Sequence, residues 1–223
     1  MLTGGAGDEI FVCGGSGDRL NGGAGSDSFF SGPGNDIINV GAAGDIYDID
    51  YVNGGADLDV LDFSDATSAI TFTLEQHSYP VAVDLIGAGL GVVEYVNMEG
   101  VIGSAFGDTL TGSGEADLID GGAGDDFVDG RAGNDMLAGG AGNDIFNFAN
   151  SCGQDSISDF AAGAESDDVL DITAFGFADF SAVLAATTNV NGNAVIALDA
   201  DDSITLVGVT PAQLHPHDFY FLV

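Results

Sequence analysis

The sequence predicts an all-β fold: two parallel β-roll blocks, an intervening β segment and a C-terminal, mainly antiparallel β cap. Three observations predict it. An acid recurs every nine residues in two sets: Glu9, Asp18, Asp27, Asp36 and Asp45, then Asp108, Asp117, Asp126, Asp135 and Asp144. An apolar residue stands two places after each acid: Phe11, Leu20, Phe29, Ile38 and Tyr47, then Leu110, Ile119, Val128, Leu137 and Phe146. Small residues, mostly glycine, fill the turn before each acid, most clearly in Gly121-Gly122-Ala123-Gly124-Asp125-Asp126. A flexible glycine-rich linker keeps no such register, so the pattern demands a repeating physical unit.

The unit reads GGxGxDxUx, with U apolar. Its first six places turn and its last three extend. Glycine suits the turn because some of its backbone takes positive φ. In the three-residue strand the middle side chain points inward and its neighbours outward. Successive turns therefore alternate sides, and two units make one coil, which stacks Glu9 with Asp27, Asp18 with Asp36 and Asp27 with Asp45. The second block stacks Asp108 with Asp126, Asp117 with Asp135 and Asp126 with Asp144. Three turns depart from the pattern: 103–107 has Phe106 at the fourth place, 112–116 has Glu115 there, and 40–44 lacks glycine at the first and fourth places.

Four segments follow: 1–50, the first roll block; 51–102, a connecting β segment; 103–148, the second roll block; and 149–223, a C-terminal cap. The connecting segment breaks the register and alternates apolar with polar residues, as in Ile70, Phe72, Leu74 and in Val81, Val83, Leu85, which reads as strands with one buried face. In the cap, Ile157–Phe160 and Val169–Ile172 read as strands and Phe180–Ala186 as a short helix. Asn191-Gly192-Asn193 marks a hairpin with Ala194–Leu198 behind it, and Ile204–Val207 is a further strand. Thr210-Pro211 predicts a helix start, threonine as N-cap and proline at the first helical position.

The charge balance is extreme: 36 acids against two bases, Arg19 and Arg131, a net charge of −34. A compact chain so charged repels itself unless cations neutralise it. The sign excludes nucleic acid and anionic lipid headgroups as partners, and no apolar run is long enough for a membrane span. Cys13 and Cys152 are not expected to pair. His77, His215 and His217 have no zinc-ligand spacing, and the latter two flank Pro216 in an expected polar turn. Collagen spacing is absent. Asp199-Ala200-Asp201-Asp202 does not match an EF-hand loop and reads as a hairpin turn. The N-terminus lacks the basic and apolar regions of a secretory signal peptide and enters a repeat at once, so the chain reads as a piece of a longer protein.

Stacked carboxylates with converging turn carbonyls make an all-oxygen cage. That donor set suits a hard cation with six or more ligands, which means Ca2+ rather than zinc or copper. The stacking rule gives about six ions. If each site binds at ~10⁻⁴ M in ~1 mM calcium, it contributes about 1.4 kcal/mol and six contribute about 8 kcal/mol, comparable to the stability of a whole domain. Asp155 and Asp159 are further candidates, either holding an ion at the end of the roll or facing water, as are Asp167 and Asp168.

Ten registered units, covering about 90 of the 223 residues, resemble the repeats-in-toxin (RTX) family of secreted bacterial proteins. Asp62-Phe63-Ser64-Asp65-Ala66 and Val101 to Asp108 resemble connectors of that family. Asp155-Ser156-Ile157-Ser158-Asp159-Phe160 and the terminus Asp218 to Val223 are similar to the C-terminal region of serralysin-type proteases. The resemblance implies a parallel β-roll, type I secretion machinery as a partner acting on an uncleaved C-terminal signal, an extracellular bacterial setting, and an N-terminal domain on the same polypeptide. It also implies cage carbonyls at the first and third places of one turn and the second and fourth of its partner, among them Gly22, Ala24, Gly121, Ala123, Gly130, Ala132, Gly139, Gly140 and Gly142. The serralysin zinc helix is absent from the sequence.

The leading function is a non-catalytic calcium-binding module that folds outside the cell and supports export and stability of a larger exoprotein. The alternatives are the end of a calcium-stiffened adhesin or surface protein, and an accessory module of a polysaccharide-modifying enzyme or metalloprotease. No serine, cysteine or histidine stands in a recognisable catalytic context.

Overall fold

The computed structural model describes residues 1–42, 48–163 and 168–221. Asp45, Tyr47, Asp167, Leu222 and Val223, all used in the reading above, lie outside the described residues.

The fold is nearly all β. Strands of about three residues form because each unit supplies one inward apolar side chain between two outward ones. The pattern is plain in Leu118–Asp120, Phe127–Asp129, Met136–Ala138 and Ile145–Asn147. Consecutive strands fall on opposite faces of the roll, and strands two units apart pair in parallel: Leu118 with Met136, Phe127 with Ile145.

One face is an eleven-stranded sheet. It runs from Leu2–Thr3 through Arg19–Asn21, Ile37–Asn39, Val60–Asp62, Gly100–Ile102, Leu118–Asp120, Met136–Ala138 and Gln154–Ile157. It then continues into the cap as Ser203–Leu206, Asn193–Ala197 and Thr187–Val190. The sheet therefore passes from the first block through the connecting segment into the second without interruption: Ile38 pairs with Leu61, Leu61 with Val101 and Val101 with Ile119. The opposite face is divided. A five-stranded sheet carries Ile10–Val12, Ser28–Pro33, Ile49–Ala56, Val92–Val96 and Val81–Asp84, and its last pairing is antiparallel. A six-stranded sheet carries Thr71–Thr73, Thr109–Thr111, Phe127–Asp129, Ile145–Asn147, Val169–Asp171 and Phe219–Tyr220.

Between the faces the inward residues stack into apolar ladders. Leu20, Ile38, Leu61, Val101, Ile119, Leu137 and Ile157 are buried on one side. Phe11, Phe29 and Val52, then Phe72, Leu110, Val128, Phe146 and Leu170, are buried on the other. The rings of Phe11 and Phe29 stack at 4.9 Å. This core is one side chain deep on each face, so the turns that flank it carry the remaining cohesion.

The cap contains the expected hairpin, Thr187–Val190 against Asn193–Ala197, turning on Asn191 and Gly192 at φ 54° and 92°. The short helix is Phe180–Ala185, capped by Asp179, whose carboxylate accepts from the Ala182 amide at 3.0 Å. Asp199 accepts from the amides of Asp201 and Asp202 in the expected hairpin turn. Two expectations fail. The strand expected at Ile157–Phe160 is Gln154–Ile157 instead, and the chain leaves the sheet after it, with Asp159 accepting from the Gly139 and Gly140 amides. Thr210-Pro211 opens a turn, not a helix. The Thr210 amide and hydroxyl both donate to Gln213 Oε1, which closes a single turn. Pro216 then disfavours helical backbone at His215. His215, Pro216 and His217 do form a turn, with Asp218 buried beneath it and accepting from the His215 amide at 2.7 Å. Both cysteines are free. Among the described residues no helix is long and apolar enough to cross a membrane.

Candidate metal centre

The acids of the repeat stack into ladders along the edges of the roll. In each step the backbone amide of one acid donates to a carboxylate oxygen of the acid one coil on. Along one edge Asp18 donates to Asp36 at 2.6 Å, Asp36 to Asp59 at 2.9 Å and Asp59 to Glu99 at 3.0 Å. On the same edge Asp117 donates to Asp135 and Asp135 to Asp155, both at 2.9 Å. On the other edge Glu9 donates to Asp27 and Asp27 to Asp50, both at 2.8 Å. Beyond the division of that face, Asp108 donates to Asp126 at 2.7 Å, Asp126 to Asp144 at 2.9 Å and Asp144 to Asp168 at 3.1 Å.

The expected stacks of Glu9 with Asp27, Asp18 with Asp36, Asp108 with Asp126, Asp117 with Asp135 and Asp126 with Asp144 are all present as these contacts. The place beside Asp27 that a strict nine-residue count assigns to Asp45 is taken by Asp50. Sequence reasoning also passed over Asp59 and Glu99. Asp59 ends Gly54-Gly55-Ala56-Asp57-Leu58-Asp59, a full turn of the same type lying five residues out of phase.

Each ladder acid has two oxygens, and the second separates the acids into two kinds. In Asp27, Asp36, Asp59, Asp126, Asp135 and Asp144, Oδ2 is buried and has no hydrogen-bond partner. All six side chains are at most 2% exposed. A buried carboxylate oxygen without a donor costs several kcal/mol. The six oxygens stand at the same place of the turn in each case.

Elsewhere the protein fills the place itself. The amides of Ser104 and Ser113 donate to Oδ2 of Asp108 and Asp117. The Gly5 amide donates to Glu9 at 3.0 Å and the Ala161 amide to Asp168 at 2.7 Å. Asp155 is hydrogen-bonded to the Cys152 side chain, and burial pushes that thiol up. Asp159 is exposed and accepts from the amides of Gly139 and Gly140 at 3.1 and 2.8 Å.

The first-place glycines make room for the carboxylates. A Cβ on Gly22, Gly121, Gly130 or Gly139 would strike Oδ2 of Asp27, Asp126, Asp135 or Asp144 respectively. The Gly22, Gly121, Gly130 and Gly139 carbonyls each crowd the first-place glycine of the preceding turn (Gly4, Gly103, Gly112 and Gly121). The amides of Ala24 and Ala123 donate to Gly5 and Ser104 carbonyls and hold neighbouring turns together. Gly142 takes φ 155° directly over Gly124, and Ala132 shares the turn of Asp135. Among the described residues no three acidic, histidine or cysteine side chains converge as a metal cluster. Stacked carboxylates and turn carbonyls lie together at the first-place glycines, an all-oxygen set of the kind a hard cation takes.

Burial, with like charge from ladder neighbours as a lesser cause, raises the metal-free carboxyls. Asp126 and Asp144 are pushed up to about 6 and Asp59 and Asp135 to about 7. Asp50 rises to about 7 and Asp155 to about 6. Because the folded values lie above the unfolded one, their contribution to metal-free stability is present below pH ~4. It is lost as pH rises through 6 to 7. Calcium requires the ionised form, so protons compete with it over the same window. Calcium titrations at pH 8 and pH 5 are expected to differ in midpoint by about tenfold at sites with a value near 6. The difference is about a hundredfold at sites near 7. Equal midpoints at the two pH values would contradict the ladder acids being ligands.

The family model for the RTX calcium-binding nonapeptide repeat (4 copies) matches residues 12–47, 102–137 and 130–149. No characterised protein sequence matches the chain. Among solved structures, the extracellular lipase LipA from Serratia marcescens aligns at 16% identity and a TM-score of 0.36 over 96% of this chain. The chain spans 40% of the length of that lipase chain. The matched stretches, 12–47 and 102–149, are similar to RTX calcium-binding nonapeptide repeats and make up less than half of the chain.

Proposed function

We propose that the chain is a calcium-dependent folding module of a secreted bacterial protein, holding about six Ca2+ ions between stacked turns. The observation that carries this reading is the set of six buried, unpartnered Oδ2 atoms on Asp27, Asp36, Asp59, Asp126, Asp135 and Asp144. Glu9, Asp18, Asp50, Asp108 and Asp117 complete the ladders as stacking partners, and turn carbonyls supply the remaining oxygens. Asp155 and Asp159 serve mainly as hydrogen-bond acceptors that close the end of the roll. Bound calcium supplies positive charge between like-charged rungs, which converts a repulsive edge into a cohesive one.

Inside a cell, where free calcium is scarce, such a chain stays loose enough to export; outside, millimolar calcium folds it. We assign the export to a type I system, with the N-terminal part of the same polypeptide as cargo. Calorimetric titration of the metal-free chain tests the binding reading. About six ions, taken up with release of protons near pH 6, are expected; fewer than three would refute it. For export, removal of residues 218–223 is expected to retain the protein in the producing cell. Undiminished release would refute the signal role.

A further inference from the structure

The two kinds of ladder acid differ in one backbone feature, the direction of the amide at the second place of the turn. In turns 121–126 and 130–135 this residue has positive φ, 98° at Gly122 and 65° at Arg131. Its amide points away from the ladder acid and donates instead to the carboxylate two residues before it. Gly122 donates to Asp120 Oδ1 at 3.0 Å and Arg131 to Asp129 Oδ1 at 2.9 Å. In turn 139–144, Gly140 has φ 93°, and its amide is drawn off by Asp159. In all three turns Oδ2 of the ladder acid is left without a donor.

Turns 103–108 and 112–117 show the reverse. The residues two before the second-place amides are Ile102 and Thr111, neither of which offers a carboxylate or amide oxygen. Ser104 and Ser113 lack positive φ, their amides turn inward onto Asp108 and Asp117, and their hydroxyls donate to the same carboxylates at 2.8–3.0 Å. Two donors from serine occupy the oxygens that are bare in the other turns.

We propose that the outward acceptors Asp120, Asp129 and Asp159 keep their turns open for a cation, and that Ser104 and Ser113 close theirs with protein donors. Asp108 and Asp117 then do not offer their second oxygen to an ion. The middle of the roll is an ion-free joint between two calcium-loaded segments, one around Asp27, Asp36 and Asp59 and the other around Asp126, Asp135 and Asp144. This rests on the calcium reading above and adds which turns of the second block are loaded and what decides it there; in turn 31–36, Gly32 takes φ 91° with Phe30 before it, so glycine alone keeps that turn open.

The test counts ions on the full chain in calcium by native mass spectrometry. The wild type is expected to carry six. I102N/S104G and T111N/S113G, which supply an outward acceptor and a second-place glycine, are each expected to carry seven. D120A and D129A are expected to carry five, and D129N, which retains an acceptor oxygen, six. A gain in either double variant supports the proposal, and so does a loss in D129A that D129N restores. If the double variants do not fold, the alanine and asparagine variants decide alone. A wild type with six ions and variants all with six would overturn this inference and leave the calcium reading standing. A wild type without calcium would overturn both.

Discussion

Stripping calcium from the folded protein with a chelator is expected to abolish most of its β-sheet circular dichroism, and restoring the ion to bring the signal back. The reason is the ratio of charge to core. The chain carries a net charge of −34, and its acids are stacked in contact along the edges of the roll. The apolar core between the faces is one side chain deep on each side. On the proposed count, six ions at about 1.4 kcal/mol each would stabilise the roll by about 8 kcal/mol, a magnitude comparable to the net stability of an ordinary domain. Without them, six buried oxygens lack any partner and neighbouring rungs repel. The loss should be reversible and steep in calcium, because each ion joins two coils and orders both. A spectrum unchanged by chelator would show that the apolar ladders suffice alone.

The second large effect is expected at a first-place glycine. Gly139 sits where a Cβ would collide with the Oδ2, Cγ and Cβ of Asp144. Gly139→Ala must displace a carboxylate that is fully buried and already hydrogen-bonded to the Asp126 amide. Forced packing and one lost ion together predict destabilisation of roughly 2–4 kcal/mol. For a chain of this length that is a melting point lower by roughly 4–16 °C in calcium. Gly114 is the control: it lies in a turn of the same kind, has no atom within 4 Å of a Cβ position and lacks positive φ. Gly114→Ala is expected within about 0.5 kcal/mol of wild type. Equal effects at the two glycines would mean that the carboxylate place at Gly139 is not a constrained site.

Much of this was legible in the sequence, because a strict repeat makes periodicity and packing the same information. The inward residues Leu110, Ile119, Val128, Leu137 and Phe146 read directly as the core, and the acids two places before them as the ladder. Legibility failed where the coil changes length. Asp50 and Asp59 stand 23 residues after their stacking partners instead of 18, so a nine-residue count steps past both. The turn of Asp59 was readable from its own pattern once the phase is ignored, with Asp57 taking φ 83° at the fourth place where glycine is usual.

Glu99 was not readable at all. Its turn is shortened: the Asn97 carbonyl lies over Gly54, and a glutamate only two residues later reaches the Asp59 amide. Asp155 and Asp168 extend the ladders after coils of 20 and 24 residues. The distinction between open and closed turns needed the backbone, since a serine at the second place looks like an ordinary small residue until its amide direction is known.

The claim on which the rest depends is that cations lie at the bare second oxygens of the ladder acids. A crystal grown in calcium tests it most directly. Anomalous difference density is expected against Oδ2 of Asp27, Asp36, Asp59, Asp126, Asp135 and Asp144. The same six carboxylates turned out into solvent, with no ion between the coils, would contradict it.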